Sequence, residues 1–244
     1  MKHPFAFHTQ RTALLILFTT VCFLATAQPP QVRLRNKDRR SDVSMKTTEG
    51  RILLRLSDST PGHRDNFLRL VRSGFYEGVA FHRVIERFMV QAGDARSRDS
   101  SKTGKKHRYG DSSYTLPAEI LPSLYHKRGV LAAARMGDDV NPERKSSGTQ
   151  FYIVQGRSFT SASLDSVETY RLGGRKLPEA HRKEYMTKGG APHLDRSYTV
   201  FGEVLEGMDV VDRIAASKTT GRQGGDRPLQ PIRITETRLI KRKG

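Results

Sequence analysis

Three stretches of this chain concentrate side chains that could do chemistry. The first, G-V-A-F-H-R-V-I-E-R-F-M-V-Q-A-G-D from Gly78 to Asp94, sets His82 beside Arg83 and then supplies Phe88, Met89 and Gln91. The second begins G-V-L-A-A-A-R at Gly129, ending on Ala134 and Arg135, and resumes after a loop as S-S-G-T-Q-F-Y-I-V with Gln150 and Tyr152. The third, H-L-D-R-S-Y-T-V-F-G-E-V-L-E-G-M-D-V-V, opens on His193 and Leu194 and carries Tyr198. A guanidinium is a permanent charged donor, so Arg83 suits hydrogen bonding to an acceptor. Gln91 and Gln150 can orient neighbours, and Phe88, Met89, Tyr152 and Leu194 can wall an apolar pocket. The remaining histidines are scattered without metal-ligand spacing, so no metal is expected. Ser146-Ser147-Gly148 reads as a turn, not a phosphate cradle, and no cofactor is expected.

The three blocks resemble, in content and order, the F-H-R, F-M and Q-x-G-D block, the G-S-Q-F-F-I block and the W-L-D/V-F-G-x-V block of cyclophilins. The resemblance spans roughly residues 43–241. It implies cis-trans isomerisation of X-Pro peptide bonds, with Arg83 in the place of the family's catalytic arginine. It also implies an apolar proline pocket of Phe88, Met89, Tyr152 and Leu194, with His82, Ala134, Arg135, His193 and Tyr198 around it and Gln91 and Gln150 orienting substrate and arginine. The chemistry is coherent. Amide resonance sets a barrier of about 18–20 kcal/mol, and no group is transferred. A protein that binds the twisted amide better than the planar one therefore catalyses the reaction. Twisting frees a lone pair on the prolyl nitrogen, which a fixed guanidinium can hydrogen-bond in a low-dielectric pocket. His82 needs no acid–base role and is read as pocket wall.

The chain also departs from the pattern. His193 stands where a tryptophan is common, in a sequence with no Trp. Its imidazole is a group able to charge near neutral pH. Tyr198 replaces a frequent histidine, Tyr152 a phenylalanine, and Arg135 a common asparagine whose main chain is what the family uses. These changes touch substrate preference more than catalysis.

Positioning such residues requires strands. Ile52, Leu54 and Leu56 alternate with Arg51, Leu53 and Arg55, and the segment Met45–Leu56 reads as two strands joined at Glu49-Gly50. Further strands are expected at 79–85, 88–91, 130–135, 151–155, 198–205 and 232–240. A helix should begin at Pro61 with Phe67, Leu68 and Val71 inward, and another should span Met208–Ala215. The expected fold is therefore mainly β: a closed antiparallel eight-stranded cyclophilin-like barrel capped by two α-helices. Two polar segments, 95–113 and 157–192, look like insertions, the second containing a helix from Pro178 to Met186.

The first 27 residues are set apart as a signal peptide. Lys2 and Arg11 precede an apolar run from Ala13 to Leu24, and Ala25-Thr26-Ala27 ends it at A-x-A spacing. Cleavage after Ala27 is expected. The run is short for a membrane span, although a retained, membrane-associated leader is the alternative. Residues 28–42 read as a flexible basic tether, followed by one domain over 43–241. The only cysteine, Cys22, lies in the leader, so the mature domain has no thiol or disulfide.

A formal charge of +18 attracts anions. No nucleic-acid module accompanies it, so no specific nucleic acid is expected, only weak attraction to anionic envelope polymers. The expected partners are proline-containing segments of exported proteins, met by a periplasmic or extracellular monomer. Two other functions use the same features: a proline-segment holdase with little turnover, and a protein whose basic surface is itself the function.

Overall fold

In a computed structural model, the chain is described over residues 32–98 and 114–242. The signal-peptide expectation and most of the 95–113 segment lie outside these residues.

Among the described residues ten strands form: β1 (Ser41–Thr47), β2 (Gly50–Leu56), β3 (Arg83–Ile85), β4 (Met89–Ala92), β5 (Thr115–Leu116), β6 (Val130–Ala133), β7 (Ser146–Ser147), β8 (Phe151–Val154), β9 (Val200–Glu206) and β10 (Ile234–Lys241). Eight of them make one antiparallel sheet in the order β10-β1-β2-β9-β6-β8-β4-β3, while β5 and β7 pair separately. The hairpin expected at Glu49-Gly50 joins β1 to β2 in register, with Thr47 opposite Gly50.

The sheet is not a closed barrel. It is an open, strongly curled half-barrel whose edges stand 13 Å apart without a closing ladder. The reason lies in the chain before β3. Gly78 N–H bonds Ile234 C=O at 2.8 Å and Phe81 N–H bonds Ile232 C=O at 2.9 Å, with a single bridge between Ala80 and Arg233. Those bonds involve only Ile234, the first residue of β10, and the two residues before it, and β3 itself, three residues long, reaches Asp226 instead through its Val84 N–H at 2.8 Å. The expected strand over 79–85 is thus split between this stitch and β3.

Five helices accompany the sheet among the described residues, not two. They are α1 (Asn36–Arg39), α2 (Pro61–Arg72), α3 (Ser161–Tyr170), α4 (Glu179–Thr187) and α5 (Met208–Ala215). The two expected helices, α2 and α5, fill the concave side. Phe67, Leu68 and Val71 of α2 and Val210, Val211 and Ile214 of α5 share one core with Val43, Met45, Ile52, Leu54, Leu131 and Ile153.

Within the stretch read as a tether, residues 34–42 are packed. Leu34 joins the main core, and Asp38, buried in α1, accepts bonds from Arg35 N (2.7 Å) and Arg72 Nη1 (2.5 Å). Ser41 already opens β1.

The 157–192 segment folds as a helical pair with its own small core of Phe159, Leu164, Leu177 and Tyr185. Helix α4 matches the expected one, starting after Pro178. Helix α3 starts at a reciprocal cap, Thr160 Oγ1 accepting Ser163 N–H and Ser163 Oγ accepting Thr160 N–H. Glu168 of α3 is buried yet accepts from Lys176 Nζ (2.9 Å), Leu177 N (3.1 Å) and Arg182 Nη1 (2.6 Å). Burial alone would raise its pKa; these donors overcome that and hold it down to about 2. A carboxyl lowered on folding stabilises the fold fully above its ordinary pKa, and that contribution is lost as pH falls through the folded value. Glu168→Gln should therefore lower stability at pH 7 by about 2 kcal/mol, the scale of a charged hydrogen-bond set. Urea unfolding should show this gap closing between about pH 4.5 and 2; a gap independent of pH would contradict it.

Candidate functional site

The strands β4, β6 and β8 are apolar on both faces, which a sheet needs when each face is covered. Alternate residues Val90, Ala92, Leu131, Ala133, Phe151 and Ile153 belong to the main core. Their neighbours Met89, Val130, Ala132, Tyr152 and Val154, with Val200 of β9, form a second cluster on the outer face. Packed against that cluster are Ile85, Phe88, Leu124, Ala134, Leu194 and Tyr198. Phe88, Met89, Ala134, Tyr152, Leu194 and Tyr198, scattered over more than a hundred positions in sequence, are thereby brought together.

Strand register carries the polar residues into line. Arg83 lies opposite Gln91, Gln91 opposite Tyr152, and Tyr152 opposite Ala132. Residues paired this way share a face, about 4.8 Å apart per strand. One step along, Ile85, Met89 and Val154 form the parallel apolar row. Gln91 Nε2 donates to Gln150 Oε1 at 3.1 Å. The turn after β4 requires glycine: Gly93 has φ +99°, and a Cβ there would sit 2.1 Å from Thr149 O. That close approach draws the β4 end onto the strand carrying Gln150.

Arg83 is half-exposed, its Nε 3.7 Å from Asp226 Oδ2. Among the described residues no hydrogen bond holds its guanidinium. His82 is half-buried, and among the described residues its buried Nδ1 has no hydrogen-bond partner. Burial lowers its pKa, Asp94 only partly opposing this.

The rim is built by the loop before β9. His193 and Leu194 sit on a 3-10 turn, Pro192–Leu194, and the His193 ring lies 5.3 Å from that of Phe88. Behind them Asp195 is buried and accepts from Tyr185 OH (2.9 and 2.8 Å), His126 N (2.9 Å) and His126 Nδ1 (3.1 Å). With Nδ1–H directed at Asp195, the pattern assigns His126 Nε2 as acceptor of the Tyr152 hydroxyl at 3.0 Å. Sequence reading missed Asp195, His126, Tyr185 and Asp226. Of these only Asp195 falls inside one of the three blocks, as the aspartate of H-L-D-R.

The Arg135 side chain is buried and tied to the protein itself. Its Nε donates to Ser197 O at 2.7 Å, it pairs with Asp138 at 2.6 Å, and its guanidinium covers the Tyr198 ring at 4.5 Å. Its main-chain N–H and C=O make no hydrogen bond among the described residues, whereas Ala134 N–H bonds Gln150 C=O. The site therefore offers one extended backbone unit beside an apolar pocket, with a guanidinium across from it.

Comparison with known proteins accords with this geometry. The family model described as cyclophilin type peptidyl-prolyl cis-trans isomerase/CLD matches residues 42–239. A Streptococcus pyogenes protein named as a bifunctional phosphatase/peptidyl-prolyl cis-trans isomerase is 36% identical over 86% of this chain, which spans 40% of that relative's length. A Staphylococcus saprophyticus protein named as a peptidyl-prolyl cis-trans isomerase is 34% identical over 87% of this chain and 98% of its own. The crystal structure of a Cryptosporidium parvum cyclophilin type peptidyl-prolyl cis-trans isomerase shares the fold with TM-score 0.58. Its sequence is 22% identical, and the match covers 83% of this chain and 99% of that one.

At the pocket rim the His193 ring is half-buried. Burial, with the nearby Arg171 adding to it, lowers its pKa to about 4. The site should thus keep a neutral imidazole from pH 8 down to about 5, one unit above that value. An NMR titration of the His193 ring should show a midpoint well below the ordinary value of about 6.5. A midpoint at the ordinary value would mean the ring is solvated, not held against Phe88.

Proposed function

The chain belongs to the cyclophilin-type peptidyl-prolyl cis-trans isomerases, and on that premise we propose that Arg83 is its catalytic residue. The activity is the cis-trans isomerisation of X-Pro bonds, which assists protein folding. The observation that supports Arg83 is its place in the row with Gln91 and Tyr152, beside the apolar cluster. In this reading the proline ring enters the cluster against Phe88, Met89, Tyr152 and Leu194, with His82, Ala134, His193 and Tyr198 around it. The Arg135 main chain pairs with the extended substrate, and Gln91 with Gln150 fixes the polar side of the groove.

The energetic demand is modest. An uncatalysed X-Pro bond turns over in tens of seconds, and raising that to hundreds per second takes about 5 kcal/mol. As the amide twists, the prolyl nitrogen becomes an acceptor, and the Arg83 guanidinium donates to it. The donor is already charged and already on the site, so no proton moves and no cofactor is needed. Ground-state planarity gives that nitrogen no usable lone pair, so the bond forms only on the way to the transition state, as catalysis requires.

Arg83→Ala should lower turnover of a proline peptide at least about tenfold, the loss of one charged hydrogen bond worth about 1.5–3 kcal/mol. The melting temperature should barely change, because the side chain is half-exposed and outside the core. Undiminished turnover would place the chemistry elsewhere. A wild-type protein that binds proline peptides without turning them over would instead support the holdase reading.

The clients in this proposal are exported proteins, met by a monomer outside the cytoplasm, with weak attraction of its basic surface to anionic envelope polymers. The support is the leader of Lys2, the Ala13–Leu24 apolar run and Ala25-Thr26-Ala27. Intact-mass analysis of protein recovered from the envelope or medium should find a chain starting at Gln28. A chain starting at Met1, or one lipidated at Cys22, would overturn cleavage at that point.

A further inference from the structure

A second cavity, of about 560 Å³, opens directly beside the apolar pocket. Phe88 and His193, which form the pocket rim, also line it, and its far wall is helix α3 of the inserted segment, with Val167 facing in. Three arginines surround this space: Arg87, Arg157 and Arg171. Arg157 is set in place over the Phe159 ring at 4.3 Å. Arg87 sits at a left-handed turn, φ 63°, secured by its N–H on the Gln155 side chain. Such a conformation is costly for a non-glycine residue and persists only where its surroundings fix it.

None of the three has a carboxylate within ion-pair distance among the described residues, although the same surface pairs many other arginines, such as Arg128 with Asp212 and Arg182 with Asp165. Their field reaches the rim: Arg171 and Arg157 both oppose protonation of His193, after burial. A concave site with one sign of charge and apolar walls focuses its potential on whatever enters.

We propose that this cavity is a second subsite of the groove, taking an aspartate or glutamate side chain of the client two or three residues from the isomerised proline. The proposal rests on the isomerase reading of the adjoining pocket. The two spaces are separated by one ring wall, which two or three residues of extended chain, at about 3.4 Å each, can cross. A carboxylate there meets guanidinium donors that can bind it bidentately, while its methylenes lie on Phe88 and Val167. The inserted segment thereby gives the enzyme a preference for acidic sequence next to proline.

The test compares proline peptides carrying Glu or Gln at the second and third positions on either side of the proline. At low salt, the Glu peptide on one side should show kcat/KM about five- to tenfold above its Gln counterpart, an advantage that shrinks at high salt. Arg157→Gln with Arg171→Gln should bring the Glu peptide down to the Gln peptide. Equal kcat/KM for Glu and Gln at every position, with the Gln peptides turned over, would overturn the subsite and leave the isomerase intact. Should no peptide be turned over, the isomerase reading fails, and dissociation constants for the same peptides decide the subsite. A Glu preference there that the double variant abolishes supports it, and no preference overturns it.

Discussion

The carboxylate of Asp195 is the point on which the site depends. It is buried, and a carboxylate withdrawn from water must find donors or the fold bears a penalty of several kcal/mol. Its donors come from two separate parts of the chain: the Tyr185 hydroxyl of α4, and both the main chain and the ring of His126. Through His126 Nε2 the network reaches Tyr152, a wall of the pocket. Asp195 itself follows His193 and Leu194, so satisfying it also fixes the turn that forms the rim. The residues 124–126 show the same arrangement. Leu124 packs on the pocket cluster, Tyr125 packs on the inserted helices and stacks on His181 at 3.6 Å, and His126 lies between them. The inserted segment is therefore joined to the pocket by buried polar bonds, not merely placed beside it.

A sheet buried on both faces is the second constraint. Curling encloses α2 and α5 within the concave face, and the main core forms there. The convex face keeps its own apolar rows over β4, β6 and β8, which a loop and the inserted pair only partly cover. The convex-face cluster is itself buried, Met89, Ala132 and Tyr152 being at most 4% exposed, with Phe88 and Leu194 half-buried at its margin.

Much of this was legible from residue order. V-L-A-A and F-Y-I-V are unbroken apolar runs, which signal strands covered on both sides, and the strands appeared near the expected places. Phe67, Leu68 and Val71 on α2 and Val210, Val211 and Ile214 on α5 were equally clear, because their spacing puts them on one face. Closure of the barrel was not legible. It depends on whether β3 meets β10, a contact between residues about 150 positions apart that no local pattern encodes. Helix α3 was also missed, since S-A-S-L-D-S-V-E-T-Y buries only Leu164 and Glu168 and reads as a polar loop. Residues 34–42 looked like a tether because their buried members include Asp38, whose burial depends on Arg72, far along the chain. Among the site residues, alignment of Arg83, Gln91 and Tyr152 followed from strand register, but the neutral state of His193 depended on a burial that only the packed loop creates.

In its proposed role as donor, Arg83 needs little structure around it. It stands on a strand of three residues at the sheet edge, where no further strand supports it. What holds that edge is Asp226, whose main-chain carbonyl accepts the Val84 N–H while its side chain faces Arg83 Nε. A single residue thus positions both the strand and the charge it presents. The pairing is long enough, and Arg83 exposed enough, that the guanidinium is oriented without being neutralised. A tight bidentate pair would have spent its donors on the protein, leaving fewer for a twisting amide.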